Sequence, residues 1–279
     1  MSSPGKTLFT FPIPPCGSQP AGSITVSLAA PRVYLLTFTI PPDNRLTTAS
    51  CTAFLDALDL IEYHPSLEPG VVITTSGIPK FYSNGLDLEH ALSDANFLPK
   101  KLYKLFHRLL TYPMPTVALI NGHAFAGGLM LAMHHDYRVM NPNKGFACVN
   151  ELEFGVPLKP AMSSIFRLKL PPVTYRDLVL EAKRFGGAAA VQAGIVDSVG
   201  GLEEVLKLIE QRKLVGKGDS GIYGLLKAEM YRESVGLLSE EGWKAGDEKE
   251  RRLIEEEAKK KEEGEKTVQR LTKEFKLKL

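Results

Sequence analysis

Apolar positions along the chain switch between two periods. "SITVSLAA" (23–30) and "RVYLLTFTI" (32–40) are rich in β-branched and aromatic residues, flank Pro31 and stop at Pro41-Pro42, so they predict a hairpin. From Thr48 the period lengthens. Phe54, Ala57, Leu58 and Ile61 fall at i, i+3, i+4 and i+7 and predict an amphipathic helix ending near Pro65, after which "GVVITTS" (70–76) predicts a buried strand.

The alternation then repeats. "KKLYKLFHRLL" (100–110) puts Leu102, Leu105, Phe106, Leu109 and Leu110 on one helical face, and "TVALIN" (116–121) predicts the next strand. "GGLMLAMHHD" predicts a short buried helix and "YRVMN" a further strand. Strands alternating with helices imply an α/β fold with a parallel sheet covered by helices, and ligands beyond the carboxyl ends of the strands. The ends of "VVITTS" and "TVALIN" are therefore the places to look.

The two ends of the chain differ from this middle. Prolines at 4, 12, 14, 15 and 20 predict an irregular lead-in over residues 1–21, ahead of a core over 22–200. Residues 201–279 predict a helical region with a charged tail. There Glu255, Glu256 and Glu257 each precede Lys259, Lys260 and Lys261 by four positions, the pattern of a solvated helix, and Gly264 argues against one continuous rod.

Bulk composition narrows the function classes. A formal charge of +2 over 279 residues is no footprint for nucleic acid, and no apolar run reaches the ~18 residues of a membrane span. Only Lys6 is basic in the first thirty residues, against a signal or transit peptide. Cys16, Cys51 and Cys148 form no CxxC pair and give no metal framework, so they are expected to pack. The final Leu277-Lys278-Leu279 is similar to the S-K-L peroxisomal address with Leu277 in place of a small residue; without that address the expected location is cytoplasmic.

Two glycine turns carry the candidate chemistry. In "KFYSNGLDLEHAL" (80–92), Ser83-Asn84-Gly85 signals a turn and Asp87 stands where a carboxylate caps a helix from Leu88. In "NGHAFAGGLMLAM" (121–133), Asn121-Gly122 turn and Gly127-Gly128 open a helix whose first N–H groups have no internal partner. Each turn alone fits a structural role. Together they present two amides able to converge on one oxygen, the way an acyl oxyanion or enolate is held. His134, His135 and Asp136 suggest a metal at first sight, but neighbours on a helix point apart, so no metal is expected.

"FYSNGLDL" and "NGHAFAGG" resemble the two oxyanion-hole segments of the crotonase (enoyl-CoA hydratase/isomerase) superfamily, and "AAAVQAGIVDSV" (188–199) is similar to its later helix-then-strand segment. The resemblance covers roughly residues 22–200. It implies a crotonase-like α/β fold of repeated strand-strand-helix units, with a helical C-terminal region that helps build a homotrimer or hexamer. It implies an acyl-CoA substrate, with CoA part of the substrate and no separate cofactor. The oxyanion donors implied are the amides of Leu86 and Gly127, and the loop Ser83, Asn84, Gly85, Leu86, Asp87 and Leu88, with Gly127, lies near the CoA thioester.

Hydratases of the superfamily carry two glutamates. The first position here is Met130, which moves no proton; the second, in "VNELEFGVPL", is Glu151. Shifting a double bond needs one base that takes a proton and returns it. The segments look most like Δ3,Δ2-enoyl-CoA isomerases of the plant peroxisomal type, which implies that Glu151 moves a proton from C2 to C4 during fatty acid β-oxidation. Glu153 is a chemical rival two residues on, and Lys159 stands where some fungal isomerases carry their base. Other readings are a different crotonase reaction, such as an enoyl-CoA hydratase or a thioester hydrolase, or an inactive acyl-CoA-binding member. His123 and Asn150 are expected to be structural. Leu98, Leu102 and Phe125 suit an acyl tunnel and a core equally.

Overall fold

The computed structural model describes residues 5–275. Leu277-Lys278-Leu279 lies outside them. The chain opens with strands β1 (Thr7–Ile13), β2 (Gly22–Ala30) and β3 (Val33–Thr39), followed by helix α1 (Thr48–Tyr63). β2 and β3 form the expected antiparallel hairpin, Ile24 opposite Phe38 and Val26 opposite Leu36. α1 starts on a reciprocal cap: Ser50 N–H donates to Thr47 Oγ1 at 3.3 Å and Thr47 N–H to Ser50 Oγ at 2.8 Å.

The irregular lead-in expected over residues 1–21 is corrected by β1, which pairs antiparallel with β2. It is an edge strand, where Pro12 forfeits no ladder bond on the open side. Proline content therefore misled.

The middle of the chain is built from three like units. The first runs from β4 (Val71–Ser76) to β5 (Phe81–Ser83) to α2 (Leu88–Ser93). A π-helical turn over Leu98–Leu102 and helix α3 (Tyr103–Thr111) lead to the second, β6 (Thr116–Ile120), β7 (His123–Phe125) and α4 (Gly127–Met133). The third is β8 (Tyr137–Met140), β9 (Ala147–Cys148) and α5 (Glu151–Phe154). α6 (Pro160–Lys169), α7 (Pro172–Leu180), α8 (Gly187–Gln192) and β10 (Ser198–Val199) complete the sheet.

β1-β2-β3-β4-β6-β8-β10 form one sheet, parallel from β3 onward, and β5-β7-β9 form a second, small parallel sheet. β4 and β6 are buried along their whole length because both faces of the large sheet are covered. On one face Val72 and Ala118 join a core with Phe54, Leu105, Phe106 and Ile165. On the other, Ile73, Val117 and Val139 meet Val205 and Ile209 of α9 (Leu202–Gln211).

α10 (Tyr223–Met230), α11 (Arg232–Leu238) and α12 (Glu240–Phe275) close the described chain. α12 is one helix of 36 residues that passes through Gly264, so the expected interruption there does not occur. A glycine costs a helix about 1 kcal/mol. Here i,i+4 pairs such as Lys244–Glu240 (2.6 Å), Arg252–Glu248 (2.8 Å) and Lys266–Glu262 (2.6 Å) support the surrounding turns.

Candidate active site

β4, β6 and β8 are neighbours, and so are β5, β7 and β9, so the turns that follow the small strands arrive side by side. The first turn is fixed by its own polar groups. Ser83 Oγ donates to Asn44 O at 2.7 Å and accepts from Gly85 N–H at 3.2 Å, while Asn84 Nδ2 donates to Asp43 Oδ2 at 2.7 Å. Gly85 has φ +89°, a left-handed conformation that a side chain would strain. Gly85 O accepts from Leu46 N–H at 2.8 Å and Asp87 N–H donates to Leu46 O at 3.1 Å. Leu86 N–H lies between these two bonds.

Asp87 closes this turn. Its carboxylate accepts from His90 N–H at 3.1 Å and from Ser18 N–H and Oγ at 2.7 and 2.8 Å. Burial works to raise its pKa, but these donors outweigh burial and leave it below the usual carboxylate range.

The second turn ends at Ala126, at φ 48° and ψ −122°, a costly conformation for a residue with a side chain. It presents Gly127 toward the first turn. A Cβ on Gly127 would stand 2.8 Å from Leu86 Cδ2 and 3.5 Å from Leu86 N, and one on Gly128 would meet Ser83 O at 2.3 Å. Only bare backbone allows this approach. Among the described residues neither Leu86 N–H nor Gly127 N–H donates to a protein acceptor. Two free, adjacent amides are an arrangement able to receive one oxygen with developing negative charge.

The third turn supplies the side chain. Glu151 is the first residue of α5, which ends on Gly155 at φ +65°. Glu151 Oε2 is buried without a partner, and so is Asn150 Oδ1. Burial pushes the Glu151 carboxyl up to about 7, against a smaller lowering by its own backbone N–H. Glu153 is turned elsewhere: Arg184 Nη2 holds both its oxygens, at 3.0 and 2.9 Å.

A cavity of about 370 Å³ joins these groups, and Leu86, Gly127, Met130 and Glu151 all line it. Its remaining wall is mainly apolar, with Leu88, Leu92, Leu98, Phe154 and Met162. Such a lining suits a chain of methylene groups beside a polar reacting end. Of the predicted ligand loop, Asn84, Leu86, Leu88 and Gly127 line the cavity, whereas Ser83, Gly85 and Asp87 are spent on holding the turns. Leu98 is in the wall but Leu102 is core, and Phe125 packs on Phe81 and His123. Asn150, expected to be structural, lines the cavity.

His134 and His135 are structural. His134 stacks on Phe106 at 4.0 Å and its Nδ1 meets Met130 O at 2.7 Å; His135 meets Leu131 O at 2.9 Å and Thr74 Oγ1 at 2.9 Å. Burial pushes both imidazoles down to about 3. Asp136 pairs with Lys227 at 2.8 Å in the interior. Sequence reasoning missed Arg45 and placed no role on Lys159, both of which line the cavity. Single charged residues in loops carry no pattern that would have pointed to them.

The comparisons with known proteins agree with this geometry. The family model described as enoyl-CoA hydratase/isomerase matches residues 30–272. The peroxisomal enoyl-CoA delta isomerase 1 of Arabidopsis thaliana is 34% identical over 211 residues, 72% of this chain and 87% of the relative. A carnitinyl-CoA dehydratase of Salmonella typhi is 30% identical over 201 residues, 69% of this chain and 75% of that protein. The solved human mitochondrial delta3-delta2-enoyl-CoA isomerase superposes with a TM-score of 0.65 at 26% identity, covering 84% of this chain and 98% of that one. With its strand-strand-helix units, two free amides and one buried carboxylate, the chain belongs to the enoyl-CoA hydratase/isomerase family, the crotonase superfamily.

Proposed function

We propose that the protein is a Δ3,Δ2-enoyl-CoA isomerase of fatty acid β-oxidation. One observation carries the reading: among the described residues Glu151 is the single carboxylate in the cavity wall, and Met130, which the family resemblance aligns with the first glutamate of hydratases, lines it too. The Leu86 and Gly127 N–H groups donate to the thioester carbonyl oxygen. Glu151 removes a C2 proton from a 3-enoyl-CoA, the electron pair passes through the dienolate with its charge on that oxygen, and Glu151 returns the proton to C4. The product is the conjugated 2-enoyl-CoA, with no proton gained or lost.

A base near pH 7 is suited to take and return a proton at neutral pH, because neither of its forms is strongly preferred. The similarity to plant and human isomerases supports this reaction, whereas the similarity to a carnitinyl-CoA dehydratase favours, as a second reading, water elimination from an acyl-CoA. That reading lacks a second carboxylate in the wall among the described residues. No separate cofactor is needed by the proposed route. A peroxisomal location follows the named plant relative, and a homotrimer or hexamer follows the superfamily resemblance. No helix among the described residues is long and apolar enough to cross a membrane.

The test is the ultraviolet absorbance of conjugation when purified protein meets a 3-enoyl-CoA. Its appearance with wild type and loss with Glu151→Gln supports the isomerase. Water-dependent loss of a 2-enoyl-CoA instead would replace it with the hydratase or dehydratase reading, and CoA ester binding without turnover would replace it with the binding-only reading.

A further inference from the structure

A second charged group shares the cavity with Glu151. Lys159, at the start of α6, lines it, yet its Nζ donates to Asp247 Oδ1 at 2.8 Å and to Glu250 Oε2 at 3.1 Å, both on α12. Glu151 Oε2 meanwhile has no partner. An ammonium and a carboxylate in one apolar cavity would ordinarily pair, since the attraction grows as water is excluded. Here the ammonium is already held by two anions.

The geometry points to Asp247 and Glu250 as positioning residues: they hold the Lys159 ammonium toward α12 and off Glu151, and so keep Glu151 an unpaired base. This rests on the reading of Glu151 as the base. It also gives α12 a part in the chemistry, although 88 and 91 residues separate Lys159 from its two partners.

The other charges around Glu151 are already engaged. Arg45, also in the wall, donates to Asp43 Oδ2 at 3.1 Å, and Arg184 holds Glu153. On α7, which packs against α5, Asp177 pairs with Arg176 at 2.9 Å and with Lys183 at 3.1 Å. Cys148, just before α5, is a buried thiol whose pKa burial pushes up to about 11, so it stays neutral. Arg45 and Lys159 are therefore the two cations in the cavity wall, and Lys159 is the one held from α12.

The test reads the Glu151 carboxyl directly, by carbon-13 NMR titration of the full chain labelled at glutamate, with Glu151→Gln assigning the signal. No substrate is involved, so the experiment stands even if the isomerase assay fails. In Asp247→Asn/Glu250→Gln the freed ammonium turns to Glu151, and the midpoint falls by about 1–3 pH units, the effect of an opposite charge at close range. Adding Lys159→Met to that variant restores the wild-type midpoint. An unchanged midpoint in the double variant, or a lowered one that Lys159→Met does not restore, overturns the proposal. Should the double variant not fold, Lys159→Met alone decides: the proposal expects no change in the Glu151 midpoint, and a rise would show that the ammonium already acts on Glu151. A merely structural clamp would lower the melting temperature in the double variant without moving the midpoint.

Discussion

Arg184 grips both carboxylate oxygens of Glu153, while Glu151, two residues earlier, keeps Oε2 buried and unpartnered. One short helix thus carries an occupied carboxylate and a free one. The expected outcome is a sharp division between them. Glu151→Gln loses about 10²–10⁴ in kcat for 3-enoyl-CoA conjugation, the range of a positioned acid/base group, whereas Glu153→Gln stays within a few-fold. Equal losses in both variants would remove the assignment.

The two neighbouring glycines of the second turn should fail in different ways. In Gly127→Ala the new methyl presses on Leu86 beside the amide nitrogen, so kcat/KM falls by about 10²–10³ while the melting temperature changes little. In Gly128→Ala the methyl meets the Ser83 carbonyl, a backbone atom that cannot swing aside, and stability falls by about 1–3 kcal/mol. Steady-state kinetics and thermal melts on the pair separate the two effects.

Glu151 also links stability to pH. Its folded-state value of about 7 lies above the ordinary 4.5, so the folded chain binds the proton more tightly than the unfolded chain does. That contribution is fully present below about pH 4.5 and is lost as pH rises through 7. Glu151→Gln is therefore expected to match wild type in stability near pH 4.5 and to exceed it at pH 8, by on the order of 3 kcal/mol at most. Activity runs the other way, rising with pH to a plateau above about 7 as the base ionises. Urea titrations and rate profiles across this window check both signs.

Away from the cavity, Lys227 Nζ donates to Leu109 O at 2.7 Å and pairs with Asp136, which also accepts from Thr116 N–H at 2.9 Å. Lys227→Met strands that carboxylate in the interior and is expected to cost about 3–5 kcal/mol. Asp136→Asn/Lys227→Met should recover part of the loss, giving a favourable coupling in a double-mutant cycle.

Much of this was legible in the sequence, for identifiable reasons. The runs around Val72 and Val117 announced buried strands, and the two glycine turns announced amides, because both depend on residues within a few positions of one another. β1 was hidden because proline content predicts irregularity except at a sheet edge. The strands β5, β7 and β9 are two or three residues long, too short for any period to show. The family resemblance singled out Glu151 over Glu153, but seeing Glu153 occupied needed Arg184, and the tethering of Lys159 needed α12; both contacts join distant parts of the chain. Ser83 and Asp87 were expected at the ligand, but their polar atoms serve the turn that aims Leu86.

The three strand-strand-helix units contribute unlike things at matching places: the first two lend main-chain amides, the third a side chain. A point mutation cannot delete a main-chain amide, while it can exchange a carboxylate in one step. Under the proposed reaction, the grip on a thioester oxygen is consequently the durable property of this protein, and its choice of reaction the fragile one. A chain that lost Glu151 would still be a receptor for its ligand, and a new acid or base on the same wall would give that receptor different work.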